Sequence, residues 1–108
     1  MKKVLMAVVL LFPTSALADG ASDYATMCAT CHGTKGAGDG IAAGGLPVKP
    51  ANFTDPAFWS SRDDATVTKA IKEGGLSVGK SAMMVPFGSS LSDDKIAAIV
   101  TYLKTLKK

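Results

Sequence analysis

Two thiols and an imidazole stand together at Cys28-Ala29-Thr30-Cys31-His32. Two cysteines separated by two residues and followed at once by a histidine form the attachment signature of a c-type haem. The spacing suits that chemistry. On a helical segment Cys28 and Cys31 share one face, so both thiols can reach the two vinyl groups of one porphyrin. His32 follows the second thioether, where its imidazole can ligate the iron from the proximal side. These are the only two cysteines and the only histidine of the chain. Other uses of such a pair fit less well. A thioredoxin-like couple calls for a surrounding βαβ pattern, which the chain lacks. A zinc site needs further Cys or His ligands, and there are none. A disulfide between residues so close closes a loop too small to add much stability.

An iron held by His32 has a second axial position, open to Met, Lys, water or nothing. Met27 is too near the motif to cross to the opposite face, and Met1 and Met6 lie in the export segment described below. Met83 and Met84 remain, far enough along the chain to pass round the ring. A thioether there favours reduced iron and raises the reduction potential. Methionine more often fills gaps in a core. Here, however, the apolar run Met83-Met84-Val85-Pro86-Phe87 belongs to a loop rather than to a helical face.

The elements that must position these groups begin after an export signal. Lys2 and Lys3 give a positive start, Val4 to Phe12 an apolar stretch, and Ala16-Leu17-Ala18 a small-x-small cleavage site. The stretch is well short of the ~20 residues that span a bilayer. Residues 1–18 are therefore read as a signal peptide and 19–108 as one domain. Without Lys2 and Lys3, ten basic residues face nine acidic ones. With no basic stripe and no stacking set of aromatics, nucleic-acid binding is not expected. So small a domain has a marginal core of its own, which a covalent porphyrin would complete.

The spacing predicts a first helix over Gly20 to Cys31, with Ser22 as N-cap and Tyr24, Met27, Cys28 and Cys31 on one face. Six glycines between Gly33 and Gly45 make a loop, and Pro47, Pro50 and Pro56 keep the next stretch irregular or in short turns. A second helix runs from Asp64 to Glu73, capped near Asp63 or Asp64 and stopped by Gly74-Gly75. Gly79 to Ser90 is again a loop. Ser92 caps the last helix, whose buried stripe is Ile96, Ile99, Val100, Leu103 and Leu106. No strand pattern is present, so the expected class is all-α.

Over Gly20 to Leu106 the chain resembles the small bacterial class I cytochromes c. That family places a glycine and an aromatic eight and four residues before its first haem cysteine, as Gly20 and Tyr24 stand here. Its last helix carries an aliphatic–x–x–aromatic–Leu pattern that crosses the first helix beside that glycine, and Ile99-Val100-Thr101-Tyr102-Leu103-Lys104 is similar to it. Many members read Met-Pro-Pro-Phe at the distal ligand. Met84-Val85-Pro86-Phe87 fits that frame with Val85 in place of a proline, so the resemblance implies Met84 as ligand and Met83 as runner-up. It also implies a proline carbonyl that accepts the proximal imidazole N–H, for which Pro47 is the nearest candidate. Asn52, Trp59 and Arg62 are candidate donors to the haem propionates.

The expected protein has three main helices and loops wrapped around one covalent haem c, with His/Met ligation. It is read as a monomeric periplasmic one-electron carrier and not an enzyme. It exchanges electrons transiently with a donor and an acceptor protein, and meets the membrane only through membrane-bound partners. Two other readings stand beside it: an open-site haem protein that senses a gas or peroxide or acts as a weak peroxidase, and a haem subunit of a larger oxidoreductase.

Overall fold

The computed structural model describes residues 14–108, so the basic start and apolar stretch of the expected export signal lie outside the described residues. Among them are five α-helices and no strand: α1 (Thr14–Met27), α2 (Ala29–His32), α3 (Pro56–Ser61), α4 (Asp64–Glu73) and α5 (Asp93–Lys104). Short 3₁₀ turns stand at Ala43–Gly45 and Gly75–Val78.

The helix ends follow from local capping. Ser92 accepts a hydrogen bond from the Lys95 backbone N–H, and Asp93 and Asp94 meet the positive end of the α5 dipole. On α4 the cap is Asp63, whose carboxylate accepts from the Thr66 N–H at 2.8 Å and from the Thr66 hydroxyl. Those two bonds hold the Asp63 carboxyl below its ordinary pKa. Gly74, at φ 91°, ends α4 in a conformation that a side chain resists.

Three local expectations need correcting. The helix expected over Gly20 to Cys31 is interrupted at Cys28, which forms a turn between α1 and α2. α1 begins upstream of Gly20 and runs across the expected cleavage point, so Ser22 is an exposed position inside the helix rather than its cap. The stretch expected to be irregular around Pro56 contains α3. Asp55 caps it by accepting from the Ala57 N–H, and Pro56 sits at its first turn, where the missing N–H is no loss.

α1 and α5 cross to form the core that carries the site. Tyr24, Ile96, Ile99 and Leu103 are almost wholly buried there, with Phe53, Val67, Ile71, Leu91 and Val100 around them. Burying each large apolar side chain is worth roughly 1.5–3 kcal/mol. The Tyr24 and Tyr102 rings meet at 5.4 Å, and the Tyr24 hydroxyl donates to the Gly33 carbonyl at 2.5 Å. The crossing is close because Gly20 has no side chain. A Cβ there would fall on the Ala98 carbonyl oxygen and stand 2.8 Å from its carbon. Exposed ion pairs Lys104–Asp64 and Lys72–Asp93 join α5 to the helix beside it and add little.

Gly20→Val should therefore lower the stability of the folded chain by about 1–3 kcal/mol, the usual effect of overpacking. Gly44→Ala is the control, because a Cβ there meets nothing within 4 Å. Denaturant unfolding followed by far-UV circular dichroism compares the two midpoints. Equal midpoints would mean that the helices do not cross at Gly20.

Candidate functional site

The motif is held by the backbone of the loop that follows it. α2 is four residues long, so it cannot bond its own last carbonyls. The loop does so instead. Gly33 N–H donates to Ala29 O (2.8 Å), Ala42 to Thr30 (2.9 Å), Gly40 to Cys31 (3.0 Å) and Gly38 to His32 (2.8 Å). Gly40 must be bare for this approach, since a Cβ would stand 2.6 Å from the Ala29 oxygen and the Cys31 carbonyl carbon. Gly33, Gly38 and Gly40 thus have a definite task, which is to bring backbone donors against α2.

Cys28 and Cys31 are both partly buried and unpaired. Burial, helped by the nearby Asp23 and Cys31, pushes the Cys28 thiol up to about 11, so it stays neutral at physiological pH. His32 Nδ1 lies 3.1 Å from the Ala51 carbonyl. A carbonyl can only accept, so Nδ1 carries the proton and Nε2 keeps its lone pair. Burial holds the imidazole below its ordinary pKa against the opposing pull of the Ala51 bond. A neutral imidazole with a fixed tautomer is the form that ligates metal.

The carbonyl that meets His32 is that of Ala51, not that of Pro47. Phe53 N–H donates to Gly36 O at 2.7 Å, which ties the chain just after Ala51 to the glycine loop beside the imidazole. Pro47 lies on the exposed run before it. Phe53 also stacks its ring on the imidazole, with centroids 4.7 Å apart and 27° between planes.

A cleft of about 590 Å³ opens beside these groups, inside the roughly 300–1,000 Å³ range of small-molecule and cofactor sites. Cys31, His32, Met83, Met84 and Arg62 all line it. Cys28 is packed against the core one turn before Cys31. The wall contributed by residues 74–88 is pinned to the end of α4. Phe87 N–H donates to Ile71 O (2.9 Å), Gly88 to Lys72 O (3.0 Å) and Gly75 to Met84 O (2.8 Å). Met84 is half-buried against the core, whereas Met83 is 57% exposed. A Cβ on Gly75 would collide with the Ser81 carbonyl and crowd the Met84 side chain, so the doubled glycine that stops α4 also seats Met84.

Of the three expected rim donors only Arg62 reaches the cleft, with its guanidinium 5.1 Å from the Phe58 ring centre. Trp59 spends its indole N–H on the Phe53 carbonyl at 2.9 Å. The Asn52 side chain is exposed and accepts from the Thr54 N–H and hydroxyl, a local turn that competes with any longer reach. Lys49 and Lys80 line the cleft as well, and no lining residue is acidic. Sequence reasoning missed both lysines, together with Ala51, Phe53 and Gly75. The donor set fits a haem: thiols and a neutral imidazole on one side, thioethers on another wall, an apolar interior, and three cations for its carboxylates.

The family described as cytochrome c oxidase, cbb3-type, subunit III matches residues 15–103. Cytochrome c-554(547) of Halothiobacillus neapolitanus is 35% identical over 83% of this chain and 96% of its own length. The cbb3-type cytochrome c oxidase subunit FixP of Azorhizobium caulinodans is 32% identical over 86% of this chain, which spans only 28% of that protein. Among solved structures, the KustC0563 c-type cytochrome superposes with a TM-score of 0.69 at 29% identity, covering 83% of this chain and 99% of its own. A chain of the reducing HAO-like complex Kustc0457/Kustc0458 of Kuenenia stuttgartiensis gives 0.71 at 28% identity, over 91% of this chain and 47% of that one. With its all-helical fold and a cleft that suits the group, the chain belongs to this cytochrome c family: it is a small monohaem class I c-type cytochrome that carries haem c, with its iron, covalently.

Proposed function

We propose that this cytochrome is an exported one-electron carrier whose haem is attached through Cys28 and Cys31 and ligated by His32 and Met84. The observation that carries this reading is that one cleft is lined by Cys31, His32 and Met84 together. When bound, the haem supplies a one-electron iron couple. His32 offers Nε2 while its bond to Ala51 holds the ring in place and strengthens its electron donation. Met84 is preferred over Met83 because its backbone is fixed at both ends, by Ser81 and Gly75, and its side chain is the more buried. Its soft thioether favours the reduced state. The apolar walls limit water, which also governs the potential. Lys49, Arg62 and Lys80 are the residues that would meet the propionates.

The protein shuttles electrons as a monomer between a donor and an acceptor and turns over no substrate of its own. Its only histidine is committed to the iron, which leaves none for a Ser-His-Asp or Cys-His pair. Export to the periplasm and cleavage after Ala18 rest on Lys2, Lys3, the apolar run and the small residues at 16 and 18. A second reading has a specific basis. This chain corresponds to 28% of a cbb3-type oxidase subunit and 47% of a chain in an HAO-like complex, so the same domain can serve as the haem module of a larger oxidoreductase. Copurification with membrane or complex partners distinguishes that role from a free shuttle.

Two measurements test the site. In the exported protein the haem should resist acid–acetone extraction, and the mass should equal residues 19–108 plus one haem. Extractable haem would refute thioether attachment, and a different N-terminus would refute the cleavage. Met84→Ala should abolish the near-infrared band of ferric iron–methionine ligation, lower the potential and admit CO. Met83→Ala should leave all three unchanged. Reversed results assign the ligand to Met83, and no change from either variant or both favours the open-site reading.

A further inference from the structure

The one indole of the chain is turned inward onto a backbone carbonyl, and that carbonyl belongs to the residue stacked on the axial imidazole. Trp59 Nε1–H donates to Phe53 O at 2.9 Å. Phe53 N–H donates to Gly36 O at 2.7 Å, so both backbone groups of Phe53 are held. Phe53 is 6% exposed, and its ring lies on His32 at 4.7 Å and meets the Phe58 ring edge-to-face at 5.3 Å and 83°. Phe58 in turn meets Trp59 edge-on at 4.9 Å. Two residues before Phe53, Ala51 supplies the carbonyl that accepts the hydrogen bond from His32 Nδ1–H. The short segment 51–53 therefore touches the imidazole twice, once through a carbonyl and once through a ring. It is clamped from outside by Gly36 and Trp59.

We propose that Trp59 is a positioning residue for the proximal ligand, fixing the plane and the electron donation of His32 through segment 51–53. The inference rests on the reading of His32 as an iron ligand. The chain of cause is short. Freeing the Phe53 carbonyl loosens the segment, and the Ala51 carbonyl withdraws from Nδ1–H. The imidazole then donates less to the iron, since an accepting partner on the far nitrogen raises ligand basicity. Weaker donation stabilises the ferric state less, so the potential rises.

Trp59→Phe keeps an aromatic ring and removes the N–H. In the ferric holoprotein the hyperfine-shifted haem methyl resonances report the plane of the imidazole, and the His32 Nδ1–H signal reports its bond. The variant should change the methyl pattern and raise the midpoint potential. It should also speed Nδ1–H exchange by roughly two- to tenfold, the factor expected from losing one ordinary hydrogen bond. The near-infrared methionine band should stay. A variant that melts earlier but keeps the wild-type methyl pattern, exchange and potential would make Trp59 a packing residue only and overturn the proposal. If the variant does not fold, the wild type decides. Its indole N–H must exchange as slowly as buried core amides, and exchange at the rate of an exposed indole overturns the proposal. Wild-type spectra without imidazole signals would instead refute His32 ligation itself.

Discussion

A helix of four residues has no interior, and the carbonyl oxygens of Ala29, Thr30, Cys31 and His32 must all find donors outside it. Each one left unpaired in this partly buried region would cost about 1–3 kcal/mol. The glycine loop brings four backbone N–H groups to them, and that requirement sets the path of the chain from Gly33 to Ala42. The consequences run outward. Once the loop has folded back over α2, Gly36 is in place to bind Phe53, and Phe53 and Ala51 are in place to hold the imidazole. The placement of His32 thus starts from a backbone accounting that involves no charge.

The wall that carries Met84 repeats the device. α4 also ends with unpaired carbonyls, and those of Ile71 and Lys72 are taken by Phe87 and Gly88 of the loop that carries Met84. His32 therefore ends a helix that the glycine loop finishes off, and Met84 sits on the loop that finishes off α4. Each owes its position to that capping. The helices α1 and α5 supply the rigid core against which the two stretches are fixed.

What could be read in advance divides along the same line. The attachment motif, the caps at Asp63 and Ser92, the stop at Gly74 and the close crossing at Gly20 are all written in residue types at particular spacings. Side-chain chemistry announces itself in this way. The acceptor for His32 is a backbone carbonyl, and every residue has one, so nothing marks Ala51 until the Gly36–Phe53 bond brings it near. Trp59 and Asn52 show the converse. Each has a donor or acceptor suited to a cofactor, yet a nearer partner claims it: the Phe53 carbonyl for Trp59, the Thr54 turn for Asn52. Residue type tells what a group can bind, while its partner is decided by what the fold brings closest.

The close approach at Gly40 bears on how this sequence can drift. In most globular proteins loops vary freely and helices carry the constraint. Here four glycines of one loop carry the constraint instead. The outer face of α5, with exposed Ala97 and Thr101, can accept many residues, whereas Gly33, Gly36, Gly38 and Gly40 in the loop after the motif resist even one added methyl group. Substitutions should thus be borne by the exposed helix faces and rejected at these four loop glycines. A designer who wished to diversify this scaffold would begin on its helices.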